Sequence, residues 1–413
     1  MRKINQWVAA ASMTALVFSG IAGDWPQWGG PNRDHISKEA GLLQKWPEGG
    51  PKRIWLSEKG GVGYAGFSVV EGQLFTMGAR DGKEQLLAFG ANDGKELWAA
   101  DLGDILKNDW GDGPRGTPTV DGDRVYALGG KGKLVAASVK DGKILWTKSL
   151  TADLGGKVPG WGYTESVLVE GGVVYCTPGG SKGTIAALDK MTGELKWQSS
   201  EVTEPAHYSS IVPTDLNGSR QLIQLTEKQL TSVNAKDGKL LWKSPWPGRT
   251  AVIPTPVVSG NQVYITTGYG VGSKLVKVDA GNKPSDVFEN KVMKNHHGGV
   301  VLLGGHIYGY SDGPGWVCQD FQTGKEVWAD KKLDKGAVTY AGGRLYCLEE
   351  RTGKVALMEA NPKGWTERGS FKLDPQTKQR ASRGMIWTHP VIANGKLYLR
   401  DQELIFCFDV SSK

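Results

Sequence analysis

The sequence predicts an all-β fold: an eight-bladed β-propeller of four-stranded antiparallel blades, its ring closed by joining the N- and C-terminal strands. Three observations carry that expectation. A phrase with a turn glycine four residues before a tryptophan recurs at Trp98, Trp146, Trp197, Trp242 and Trp328, as in "ANDGKELW" and "VKDGKILW". Its period of about 45 residues, doubled once before Trp328, is that of a propeller blade. With 413 residues the chain exceeds what one ordinary core supports, and 59 Gly with 16 Trp imply many tight turns and many large anchors.

Residues 1–23 stand apart. Arg2 and Lys3 precede an apolar run that ends in small residues at Gly20, Ala22 and Gly23. The pattern predicts a secretory signal peptide cut near Ala22 or Gly23, and hence export to the periplasm or beyond. No cysteine near the cut offers a lipid attachment site, and no later segment is long and apolar enough to span a bilayer. Residues 24–50 form a leader and 51–413 the propeller. The formal charge of +7 falls when Arg2 and Lys3 are removed, and no dense Lys/Arg block remains, so nucleic acid is not an expected partner.

Within the propeller, alternation around short turns predicts eight hairpins, near 66–78, 117–129, 165–180, 209–226, 254–270, 298–313, 336–350 and 388–401. A third strand such as 133–139 follows each, and then the tryptophan strand. The last copy stops before its tryptophan strand, while 51–60, with Trp55, has no hairpin of its own. That strand is expected to complete the last blade and remove the open edges. Ten residues before each tryptophan stands a small residue (Ala88, Ala136, Ala187, Ser232, Cys318, with Cys407 in the last copy), over which the indole and an adjacent blade are expected to pack. Phe288 takes the tryptophan place in a degenerate copy.

The run Ala187-Leu188-Asp189 through Thr192-Gly193 to Trp197 resembles the repeat of pyrroloquinoline-quinone (PQQ) propellers, and Cys318, Asp320, Thr323, Gly324 and Trp328 match nearly as well. The opening "DWPQWGGPNRDHIS" is similar to the leader of secreted PQQ-like repeat proteins. The resemblance covers almost all of 24–413 and implies the eight-bladed fold. It includes quinoprotein alcohol dehydrogenases and cofactor-free members such as the outer-membrane assembly lipoprotein, so it specifies activity hardly at all. For an enzyme it implies PQQ beside Ca²⁺, a carboxylate base, an arginine, a stacking Trp and often adjacent cysteines.

Loops just before the innermost strands should form a rim around the central channel. They offer Trp110, Asp112 and Arg115; Trp161, Tyr163 and Glu165; His207, Tyr208 and Ser210; His296 and His297; and Arg383, Trp387 and His389. Glu165 or Asp112 has the chemistry of a general base, and Arg115 or Arg383 that of a bidentate carboxylate holder. Cys176, Cys318, Cys347 and Cys407 include no adjacent pair and no metal-ligand spacing, and read as buried small residues. The Gly-rich stretches 129–133 and 268–274 open no helix, which argues against phosphate loops, and 121–124 reads as a hairpin turn rather than a calcium loop. The expectation is a monomeric binding or scaffolding module whose funnel takes a small molecule or a peptide, with no cofactor and no metal. The alternative is a PQQ-dependent alcohol or sugar dehydrogenase with PQQ and Ca²⁺. A third reading, β-augmentation at a blade edge, has no residue that selects it.

Overall fold

A computed structural model describes residues 23–412, so the signal-peptide expectation falls almost entirely outside the described residues. Eight antiparallel sheets follow one another around a ring, over 68–104, 119–149, 168–198, 212–245, 257–290, 300–330, 336–372 and 391–409. Each begins on a short inner strand and steps outward through hairpins. The Asp-Gly pair at 121–122 turns Thr119–Asp121 into Arg124–Leu128, and 268–274 likewise holds a turn between paired strands. No helix among the described residues is long and apolar enough to cross a membrane.

The ring closes as the repeat arithmetic requires. Strand Arg53–Ser57 pairs antiparallel with Leu404–Asp409, placing Trp55 opposite Cys407. The other small slots also face their aromatics: Ala88 and Trp98, Ala136 and Trp146, Ala187 and Trp197, Ser232 and Trp242, Cys318 and Trp328, with a bulge at each pair. The turn glycine has a second reason besides its positive φ. A Cβ on Gly94, Gly142, Gly193 or Gly238 would strike the indole of the preceding phrase (Trp55, Trp98, Trp146 or Trp197) at 2.4–2.8 Å. Three of those indoles also donate Nε1–H to a carbonyl of the next blade: Trp55 to Ala91, Trp98 to Val139 and Trp146 to Lys190. Each blade is thereby fastened to its successor. All six docked tryptophans sit on the outermost strand of a blade; Trp55, Trp146 and Trp242 are buried and Trp98, Trp197 and Trp328 half-buried. All four cysteines are free and buried.

One element departs from the expected layout. The leader is threaded through the ring. Trp25 bridges Val69, Pro26 accepts from Val120 N–H, Trp28 Nε1 donates to Thr255 Oγ1 at 3.0 Å, and Arg33 donates to the carbonyls of Ser166 and Val167. Ile36–Ser37 then adds a parallel fifth strand to the seventh blade, against Tyr340 and Ala341. Glu39 accepts from the backbone of Asn394 and Gly395, and Trp46 docks on Phe371 and Tyr346. The segment leaves one blade only to bind another across the channel.

Candidate functional site

Short inner strands bring the preceding loops together at one mouth of the channel, and hydroxyls at those junctions tie neighbouring blades. Ser68 Oγ donates to the Pro118 carbonyl, Thr119 Oγ1 to that of Val167, Thr164 Oγ1 to that of Tyr208, and Thr339 Oγ1 to that of Pro390. These bonds account for the Ser and Thr density of the loops and hold them as a rigid rim.

Inside the rim lies a cavity of about 300 Å³, at the small end of ligand pockets. Its walls are aromatic. Of the sequence candidates, Trp110, Arg115, Trp161, Tyr208, His296, His297, Trp387 and His389 all line it, as does Ser210. Tyr64, Tyr269 and Trp28 also line it and were not anticipated. Tyr64 sits just before the first hairpin, a place equivalent to the other rim loops, so repeat register alone identifies it. Tyr269 lies in a hairpin turn, and Trp28 comes from the leader, where no repeat signal points.

The remaining candidates lie elsewhere. Asp112 is tied to Lys107 at 2.8 Å and to Asn108 N–H. Tyr163 is buried in the core, its hydroxyl donating to the Pro178 carbonyl. Glu165 is buried with its carboxylate turned onto Thr177, accepting from N–H at 2.5 Å and from Oγ1 at 2.7 Å. Burial pushes its pKa up to about 7, against the Thr177 hydrogen bonds and the charge of Arg33. Glu165 is a clamp inside the wall and touches no cavity. Arg383 is exposed at the outer rim, its guanidinium 5.2 Å from the Trp110 ring.

The floor is polar. Trp28 packs edge-on to His35 and His389, which stack on each other at 4.8 Å. His389 Nε2 lies 2.9 Å from the His297 carbonyl, so it carries the proton and leaves Nδ1 as a buried acceptor without a partner. Burial depresses the His389 pKa to about 4 and that of His296 to about 2, with His297 and Lys335 adding to the latter, so both rings are neutral at pH 7. Lys335 sits 2.8 Å from His296 Nδ1 and 2.8 Å from Asp312. Glu350 stands behind the wall, 2.5 Å from His297 Nε2 and accepting from Trp387 Nε1. Burial raises its pKa, but these partners and Lys335 outweigh that and hold it below the usual range.

Arg115 is the exception to this pairing. Its guanidinium lies 4.9 Å from the Tyr64 ring and donates Nη2–H to the Gly111 carbonyl. Its Nε is buried without a partner, and among the described residues no carboxylate lies within ion-pairing distance. Burial lowers its pKa, yet it stays charged at neutral pH.

The family model described as "Outer membrane protein assembly factor BamB" matches residues 53–330. No curated protein matches the sequence. Among solved structures, BamB from Moraxella catarrhalis superposes with a TM-score of 0.58 at 15% identity, covering 83% of this chain and 93% of that one. Quinohemoprotein alcohol dehydrogenase from Comamonas testosteroni gives 0.63 at 13% identity, covering 95% and 81%. The computationally designed Ika8 protein gives 0.60 at 11% identity, covering 87% and 100%. An assembly factor, a dehydrogenase and a designed protein share this ring, so the likeness speaks for the fold alone.

The donor set can be tested against PQQ and Ca²⁺. No Asp or Glu lines the cavity, and no group of three or more His, Cys, Asp or Glu among the described residues is placed to hold a metal. The four cysteines lie in separate blades. Hard Ca²⁺ needs six or more oxygen ligands, usually including carboxylates, and Glu350, behind the wall, is committed to His297 and Trp387. The residues present do not fit a calcium-assisted quinone.

Proposed function

Since this chain belongs to the PQQ-type repeat family described as outer membrane protein assembly factor BamB, we propose that it is a non-catalytic binding module whose rim funnel captures a small organic anion. The observation that carries this reading is Arg115: a partly buried guanidinium without a carboxylate partner, held against an aromatic cavity that itself contains no carboxylate. A charge in such a place favours an acidic ligand, because the ligand supplies the counter-ion that the protein withholds. The basic start and apolar run of residues 1–23 support action after export.

The test is a thermal-shift screen of the mature chain against small carboxylic acids paired with their neutral amides. Saturating acids should raise the melting temperature by a few °C, and the amides by less. Arg115→Met should fold and abolish the difference between acid and amide. Equal shifts for acids and amides in the unmodified protein would refute the reading.

A second reading rests on the family's protein partners. Ile54, Leu97, Leu145, Leu195, Val287 and Val327 are exposed on the outer strands of six blades, each within two residues of its docked aromatic, where a partner strand or helix would meet them.

A further inference from the structure

The geometry of the funnel names a ligand class, and the inference rests on the binding reading above. We propose that the ligand is an anionic sugar: a puckered, polyhydroxylated ring bearing a carboxylate or phosphate, and the terminal unit of a short chain.

Ring geometry comes first. A flat heteroaromatic ligand is held best between parallel faces. The cavity's aromatic pairs are instead tilted or edge-on: Trp110 and Trp387 at 42°, Tyr64 and Trp387 at 39°, Trp161 and Tyr208 at 71°, Tyr269 and His296 at 73°. The stacked pair at the floor, His35 and His389, is already closed on itself. Inclined faces offer contact to the several C–H directions of a puckered ring and no slot for a planar one.

The polar pattern comes next. The wall offers donors and acceptors beside the guanidinium, since Thr164, Ser210 and Thr255 line the cavity together with Arg115. A simple acid pairs only with the guanidinium. Hydroxyls both donate and accept, so a hydroxylated acid answers the whole set, with its anionic group on Arg115 and its hydroxyls on those side chains.

The third observation is continuity. Trp110 and Trp161, which wall the cavity, also flank a second hollow of about 340 Å³ further out, lined by Lys107, Asn108 and Asp109. An aromatic pair with amide, ammonium and carboxylate groups between them extends the same chemistry outward, so a second or third ring can leave through the mouth. The floor offers no exit, since Trp28 and the leader close it.

Calorimetric titration of the mature protein decides the matter. The probes are D-glucuronate, D-galacturonate, glucose 6-phosphate, the neutral parent hexoses, 1-naphthoate, and tri-galacturonate. The inference expects an anionic sugar to bind at least about tenfold tighter than its neutral parent and than naphthoate. The uronate and phosphate arms say which acid is preferred. Arg115→Met should bring the acid-to-neutral ratio to about one. The trimer should bind about tenfold tighter than the monomer, and Lys107→Met, which touches only the outer hollow, should remove that gain while leaving monomer binding within about threefold. Tighter binding of naphthoate than of any sugar acid would overturn the sugar assignment and leave the anion-binding function standing. No binding by any acid would overturn both.

Discussion

Glu165 shows how a residue chosen for chemistry can have another occupation. Its carboxyl, buried and held by Thr177, has a folded pKa raised from 4.5 to about 7. A raised folded pKa means the native state binds the proton more tightly, so the stability associated with this group is present below pH 4.5 and is lost as pH rises through 7. Glu165→Gln keeps the size and an acceptor for Thr177 without the charge. Relative to the unmodified protein the variant should gain stability as pH rises from 4.5 to 7, by about 2–3 kcal/mol at most. Thermal melts of both proteins across that range measure it, and a constant difference would show that Glu165 titrates normally. The sequence identified Glu165 as polar and close to the rim but could not show which way its side chain turned. Loop position was legible from repeat register, which placed Arg115, Trp161, Trp387 and His389 on the cavity wall. Burial in the wall withdrew Tyr163 and Glu165, and pairing with Lys107 and Asn108 of its own loop engaged Asp112.

At the scale of elements, the seam between the last blade and the first is secured by more than a strand. Arg400, fully buried in Lys396–Asp401, donates to the carbonyls of Gly60, Gly61, Ala65, Met77 and Gln402 and to Thr76 Oγ1. Burial lowers its pKa to about 9, so it remains a cation at neutral pH, solvated by carbonyls instead of water. Arg400→Met should cost on the order of 3–5 kcal/mol, because it strands several buried acceptors at once. Deleting residues 51–58 should be worse, opening a sheet edge as well. Chemical denaturation of the two variants tests the ranking, and near-native stability of the deletion would sink the joined-termini ring. The hairpins and the closing strand could be read from the sequence because each depends on local turn chemistry and a countable repeat. The Arg400 cage could not, since all its partners but Gln402 come from a distant stretch of chain and carry no pattern.

For the whole molecule, the leader decides what kind of object the propeller is. Trp28 lines both the rim cavity and a second one of about 410 Å³ on its far side, so the channel is two chambers with a partition. Removing residues 24–37 should leave the strand signal in circular dichroism and weaken binding at the rim at least about tenfold, because the floor goes with the partition. Unchanged affinity would mean that the floor contributes nothing to recognition. The partition also has a consequence in time. Leader residues His35, Glu39 and Leu43 are made before their partners at Tyr340, Asn394 and Val410, which follow more than about 300 residues later. Until then the growing protein is an arc with two raw ends, exposed to pairing and to proteases. A chain cut before Val391 would leave Arg53–Ser57 without Leu404–Asp409 and Glu39 without Asn394 and Gly395, so the first and last stretches of the ring can be completed only together.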